Sequence, residues 1–304
     1  MARAKAASSI DLDAILDAGH LPALPQSAIS ILELAQNPEN GPGEFAPPIE
    51  ADPGLTSQVL KFVNSSYFGF SREISSVRLA ITLVGVRTMK NFVLWSAVFS
   101  LMPNPKCGPF DLRQLWQDSL RRAIFARRVA RILGYKEAEE CFAAALLQDM
   151  AVPLLAKESP EVYAELLERR DGGRQRLSSL EQERFGWTHA EIAAQMAGRW
   201  NLPDELAELL AHHIDVDAVL DAGTPAALAV ALSSQIAAVA DEQWFDLPAL
   251  REKYDQVRPQ GTPELADVLA EVDSDFAEFA PILNLPLPEQ TLVERQAAET
   301  EAVS

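Results

Sequence analysis

Residues 142–155 read FAAALLQDMAVPLL, a helix-length stretch that is apolar on every side except for Gln148 and Asp149. A helix apolar nearly all round cannot lie on a surface and has to be enclosed by other helices. Drawn as one continuous helix, Asp149 shares its face with Phe142, Ala145 and Leu146, while Gln148 lies with Cys141 and Ala144. A carboxylate at such a place is costly unless a cation, a metal or several donors meet it. A polar link to a neighbouring helix accounts for it as readily as a functional site does.

The rest of the chain supplies the enclosing helices. Apolar residues recur at helical spacing in AISILELAQ, LTSQVLKFVN and LRQLWQDSLRRAIFARRVARIL. Asp52 before Pro53 predicts an N-cap and a first-turn proline. Thr188 and Glu191 have capping-box spacing, so a helix should begin at His189. Gly134 is placed to stop a helix after Leu133. No series of alternating strands occurs, and the fold class is all-α. Further helices are predicted in PAALAVALSSQIAAVA and LADVLAEVDSDFAEFAPIL. In the latter Leu265, Val268, Leu269, Val272, Phe276, Phe279 and Leu283 form a stripe that should pack on its own domain.

Charge is uneven along the 304 residues, with 44 acids against 26 bases and a formal net charge of -18. From Asp215 onward there are 18 acids and 4 bases, so a boundary is placed there. An acidic chain disfavours a nucleic-acid partner, which needs concentrated Lys and Arg. The two cysteines, Cys107 and Cys141, have neither metal nor redox spacing and read as reduced thiols. The basic start MARAKAASS is followed by no apolar core of a signal peptide, and NFVLWSAVFSLM is too short to span a bilayer. The expected location is cytoplasmic, with no membrane partner.

The four histidines are His20, His189, His212 and His213. His189 opens the capped helix, where the positive end of the helix dipole should lower its proton affinity. His213 follows Leu206, Leu209 and Leu210 at helical spacing and should face the core, whereas His212 lies on the side of Glu205 and Glu208. Adjacent helical positions diverge by about 100 degrees, so the two rings cannot both aim at one atom without fraying. The arginines of residues 112–133 are the other candidate group. Asp118 stands three and four residues before Arg121 and Arg122, the spacing of a surface ion pair. Arg121, Arg122, Arg127 and Arg128 suit a phosphorylated ligand, a partner or the acidic C-terminal region, or form a solvated face. No phosphate-cradling glycine loop and no G-x-S-x-G motif occurs.

Several segments together resemble the HDOD family, the HD-related output domains of bacterial signalling proteins. They are LPALPQSAISILELAQNP, IEADPGLTSQVLKFVNSSYFG, ISSVRLAITLVGVRTMKNFVL, LWQDSL, AALLQDMAVPLL and HAEIAAQMAGRWNLPDELAELLAHH, from Leu21 to His213. The resemblance implies a compact helical domain distantly related to metal-dependent HD phosphohydrolases. The expected organisation is a disordered N-terminus over 1–9, the HDOD domain over 10–215, a helical extension over 216–285 and a disordered tail over 286–304.

Carried over position by position, the hydrolases' early histidine falls on Asp118 and their His-Asp pair on Gln148 and Asp149. The following histidine falls on His189, the histidine pair on His212 and His213, and the late aspartate on Ser234. An amide is a poor ligand for zinc, iron or manganese. The resemblance therefore implies a non-catalytic regulatory module with a degenerate metal site and no cofactor. Any divalent transition metal that is retained should use Asp149, His189, His212 and His213. Without metal, His189 or His213 is the expected partner of Asp149. A module of this kind acts by binding a signalling protein in trans, a small ligand or a second copy of itself. The alternative is a phosphohydrolase or phosphodiesterase with an altered ligand set.

Overall fold

The computed structural model describes Leu16 and residues 21–302, and within them it contains helices and no strand. The expectation for residues 1–9, and His20, lie outside the described residues. The N-terminal helices are α1 (Gln26–Ala35), α2 (Pro42–Glu50), α3 (Pro53–Val63), α4 (Val77–Val84) and α5 (Val86–Leu101). The centre is α6 (Leu112–Ile132) and α7 (Ala138–Leu147), followed by α8 (Ala151–Glu158) and α9 (Pro160–Arg169). Next come α10 (Leu177–Phe185), α11 (His189–Arg199), α12 (Asp204–His212), α13 (Val216–Ala222) and α14 (Pro225–Ser233). The chain closes with α15 (Leu247–Val257), α16 (Leu265–Phe279) and α17 (Leu292–Ala302).

Local chemistry sets many of these bounds. The Asp52 carboxylate accepts the Leu55 N–H at 3.0 Å, and Asp111 accepts those of Arg113 and Gln114 at the start of α6. Gly134, at φ +77°, ends α6, and the Tyr135 N–H returns to the Ala130 carbonyl at 2.8 Å. Helix α6 then packs against α7, α14 and α16, with Ile124, Phe125 and Val129 fully buried between them.

The opening stretch is not one helix. It breaks into α7 and α8 across Gln148, Asp149 and Met150. Pro153 has no N–H to give the Asp149 carbonyl, which accepts the Val152 N–H at 3.0 Å instead. The tight turn leaves both polar side chains at a junction between two buried helices.

The expected disordered tail is a second correction. Residues 292–302 form α17, whose first two N–H groups are accepted by Asp273 of α16 at 2.9 and 3.1 Å. Arg295 is buried and donates to the carbonyls of Ala238 and Asp241 at 2.7 and 2.6 Å. Polar composition after Pro286 suggested disorder, but the polar groups serve as caps and anchors. The apolar stripe of α16 is buried against its own fold, as its spacing predicts. No helix among the described residues is long and apolar enough to cross a membrane.

Candidate functional site

The α7–α8 junction, α10, α11 and the end of α12 converge on Asp149. Its carboxylate accepts a hydrogen bond from the Arg122 guanidinium of α6. Its Oδ1 lies 3.3 Å from His189 Nε2 and 3.9 Å from His213 Nε2. Asp149, His189 and His213 are all buried, and one donor atom from each lies within 4.8 Å of the others. His212 is not with them. Its side chain is 63% exposed and faces Asp215, because the ring one position earlier points to the outer side of the helix.

Glu181 of α10 completes the cluster, and the sequence reading missed it. It is fully buried, accepts from Tyr163 Oη at 2.9 Å and lies 2.6 Å from His189 Nδ1. It also accepts the His189 backbone N–H at 2.8 Å. The capping box predicted at Thr188 is therefore not formed. The Thr188 hydroxyl is buried without a hydrogen-bond partner, and a carboxylate from a neighbouring helix caps α11 in its place. One signal was available: Glu181 stands four residues from both Leu177 and Phe185, on the apolar side of its helix.

These contacts set the charges. Burial alone would raise the Asp149 carboxyl, but the Arg122 charge and the His189 hydrogen bond hold it well below the usual carboxylate range. Burial opposes a charge on His189, yet the Glu181 charge and hydrogen bonds to Asp149 and Glu181 raise its pKa to about 10. The helix-dipole expectation of a lowered affinity is thus reversed, because two carboxylates act at closer range than the dipole. Burial, with the His189 cation beside it, lowers His213 to about 3. His213 stays neutral, and its Nδ1–H donates to the Leu210 carbonyl at 2.7 Å. The charged core is a chain of alternating sign, Arg122, Asp149, His189, Glu181.

The other positions that the resemblance singled out surround it. Gln148 is fully buried, accepts from Ser233 Oγ at 3.4 Å, and its amide nitrogen has no hydrogen-bond partner. Asp118 forms no surface ion pair: it is buried and accepts the Val239 N–H at 2.7 Å. Burial raises its pKa to about 6, against the charges of Arg122 and Arg121 and the Val239 hydrogen bond. Ser234 donates to the Ala231 carbonyl at 2.8 Å and lines the same cavity without touching Asp149. That cavity has a volume of about 160 Å³ and also admits Arg170 and Arg176, paired with Asp241 and Asp246.

Arg121, Arg127 and Arg128 of α6 form neither a solvated face nor an open anion site. Arg121 and Arg127 are buried, and Arg121 donates to the Gln290 carbonyl at 2.7 Å. Arg127 and Arg128 reach Asp275 of α16 at 3.4 and 2.8 Å, and Arg128 also pairs with Glu271. Of the occupants their pattern allowed, the acidic C-terminal region takes these three, while Arg122 turns to Asp149.

With this geometry in view, comparison with known proteins is decisive on family. The HDOD domain model matches residues 21–216. The chain belongs to the HDOD family. An uncharacterized protein of Treponema pallidum is 25% identical over 194 residues, which is 64% of this chain but only 37% of that protein. The HDOD chain thus spans well under half the length of that curated relative. A candidate signal transduction protein of Marinobacter aquaeolei superposes with a TM-score of 0.68 at 21% identity, covering 90% of this chain and 61% of that one. A candidate phosphohydrolase of Shewanella amazonensis gives 0.63 at 22% identity, covering 91% and 92%. These two solved structures share the fold.

Proposed function

We propose that this HDOD chain is a non-catalytic signal-transduction module of a bacterial cytoplasm, in which a guanidinium has taken the place of a hydrolytic metal. One observation carries the reading: Arg122 is hydrogen-bonded to Asp149, supplying from α6 the positive charge that a metal would bring. The remaining donors agree with it. His189 lies between two carboxylates, with Asp149 within reach of one ring nitrogen and Glu181 of the other. Gln148 puts a neutral amide where an imidazole is needed. Asp118 is turned to a backbone N–H. The donor set does not fit a resident hydrolytic metal. What remains is a rigid buried core beneath a small polar cavity, suited to receive or pass on a signal by binding a partner in trans or a small ligand.

The second reading, a metal-dependent phosphohydrolase with an altered ligand set, is favoured by the convergence of Asp149, His189 and His213. Tag-free protein separates the two. The module reading expects no stoichiometric zinc, iron or manganese and no turnover of bis-p-nitrophenyl phosphate. One equivalent of metal that disappears in Asp149→Ala, together with turnover, would overturn it.

A further inference from the structure

A larger cavity lies apart from the Asp149 centre, among α5, α7, α12, α13 and α14. Its volume is about 530 Å³, inside the size range of small-molecule sites. The apolar wall comes from Leu94 of α5, Ala143 of α7, Leu206 and Leu209 of α12, Val219 of α13 and Ala226 of α14. All but Leu209 are buried, so this wall is made by the helical core and is formed in advance of any ligand.

The polar part of the lining is unpaired. It consists of Lys90 and Asn91 of α5, Tyr135 in the turn before α7, and Glu140 of α7. Among the described residues the Lys90 ammonium, the Tyr135 hydroxyl and the Glu140 carboxylate have no hydrogen-bond or ion-pair partner. Asn91 is buried and donates its amide N–H to the Glu139 carbonyl at 2.8 Å, which leaves its oxygen without a donor. Lys90 and Glu140 are half-buried, and burial lowers the Lys90 pKa against the charges of Glu140 and Glu205. Two half-buried charges of opposite sign thus share a cavity without meeting, and each is left for a ligand to answer. Glu205 and Glu208 are exposed and add negative charge where the cavity opens to solvent.

We propose that this cavity binds a free α-amino acid with a large apolar side chain. Lys90 and Tyr135 are the donors for its carboxylate, Glu140 and the Asn91 oxygen the acceptors for its ammonium, and the leucine wall takes its side chain. Charge selects the zwitterion over either half. A plain carboxylate answers Lys90 but leaves Glu140 alone and must enter past Glu205 and Glu208. A plain amine answers Glu140 but stands against Lys90. A wholly apolar ligand leaves every polar group in the lining unpaired. The site is separate from Asp149 and holds under either reading of that centre. Helix α12 runs between the two, since His212 lines this cavity and His213 at its end reaches Asp149.

The test is isothermal titration calorimetry on the full chain with L-leucine and L-phenylalanine. Each is compared with its two halves, isopentylamine and isocaproate for leucine, phenethylamine and hydrocinnamate for phenylalanine. At least one amino acid is expected to bind, with both of its halves weaker by roughly tenfold or more. Lys90→Met should erase the advantage over the amine, and Glu140→Gln the advantage over the acid, because each removes the partner of one head group. Neither variant should lower the melting temperature of the ligand-free chain, since neither charge has a partner to lose. The proposal is overturned if neither amino acid binds, or if either half binds as tightly as the whole. It is also overturned if the two variants weaken amino acid, amine and acid alike. The ligand comparison needs no variant, so it decides the matter even where a substitution disturbs the fold.

Discussion

Among the arginine–carboxylate contacts of helix α6, two share the same chemistry in opposite surroundings. Arg122 meets Asp149 with side-chain exposures of 14% and 9%, whereas Arg128 meets Glu271 at 23% and 52%. The first pair is closed in by His189, His213 and the α7–α8 junction, while the second fastens the acidic extension to the outside of the helix. In the interior each charge has lost its water and depends wholly on its partner. At the surface, water and salt replace a lost partner at little cost. The same residue types can therefore be a structural necessity in one place and a mild adhesive in another, and burial decides which.

The sharpest test removes Asp149. Asp149→Ala leaves the Arg122 guanidinium and the His189 cation buried without their shared anion, and should cost about 3–5 kcal/mol in urea unfolding. A loss under about 1 kcal/mol would mean that the pair is solvated, and the contrast between the two regions would collapse. The double variant Arg122→Met with Asp149→Leu should recover much of that loss, because it removes both charges and keeps apolar volume. Failure to recover would show that the His189 cation depends on the Asp149 carboxylate as well as on Glu181.

Glu181 gives a smaller effect with a pH signature. Glu181, Asp149, His213 and Arg122 are the charged or titratable groups facing His189. The His189 pKa is raised in the fold from 6.5 to about 10, so its contribution is complete below pH 6.5 and is lost as pH rises through about 10. Stability should decline across that window. Glu181→Gln keeps a hydrogen-bond acceptor but drops the charge, so it should flatten the decline and cost about 1–3 kcal/mol near neutrality. Imidazole ¹⁵N shifts of His189 check the assignment directly: in the wild type both nitrogens stay protonated at pH 8, and in the variant they do not.

Particular residues explain what could be read in advance. The α16 stripe, the Asp52 cap and the inward turn of His213 follow from local spacing, and all three are in place. The seat of Asp149 and His189 followed from family resemblance. Spacing pairs Arg122 with Asp118, four residues away, but the fold sets its guanidinium against Asp149, 27 residues away. Glu181 escapes the spacing argument for a related reason, since its partner histidine belongs to the next helix. Helical spacing speaks for one helix at a time, and the charge network is made where four helices meet. The tail erred in the other direction, because acidic composition says nothing of the anchors, such as Arg295, that hold it.

The surface pair supplies the smallest and most discriminating prediction. Glu271 is half exposed, so Glu271→Ala should cost no more than about 1 kcal/mol, and 1 M sodium chloride should erase most of the difference. Arg128 would keep Asp275 at 2.8 Å, so the extension stays attached. Asp149→Ala should by contrast remain destabilised at the same salt, because ions do not enter a site where the carboxylate and both histidines are buried. If high salt rescued both variants alike, burial would not be what separates the two contacts. If it rescued neither, the α16 clamp would be part of the folded core rather than a fastening on its outside.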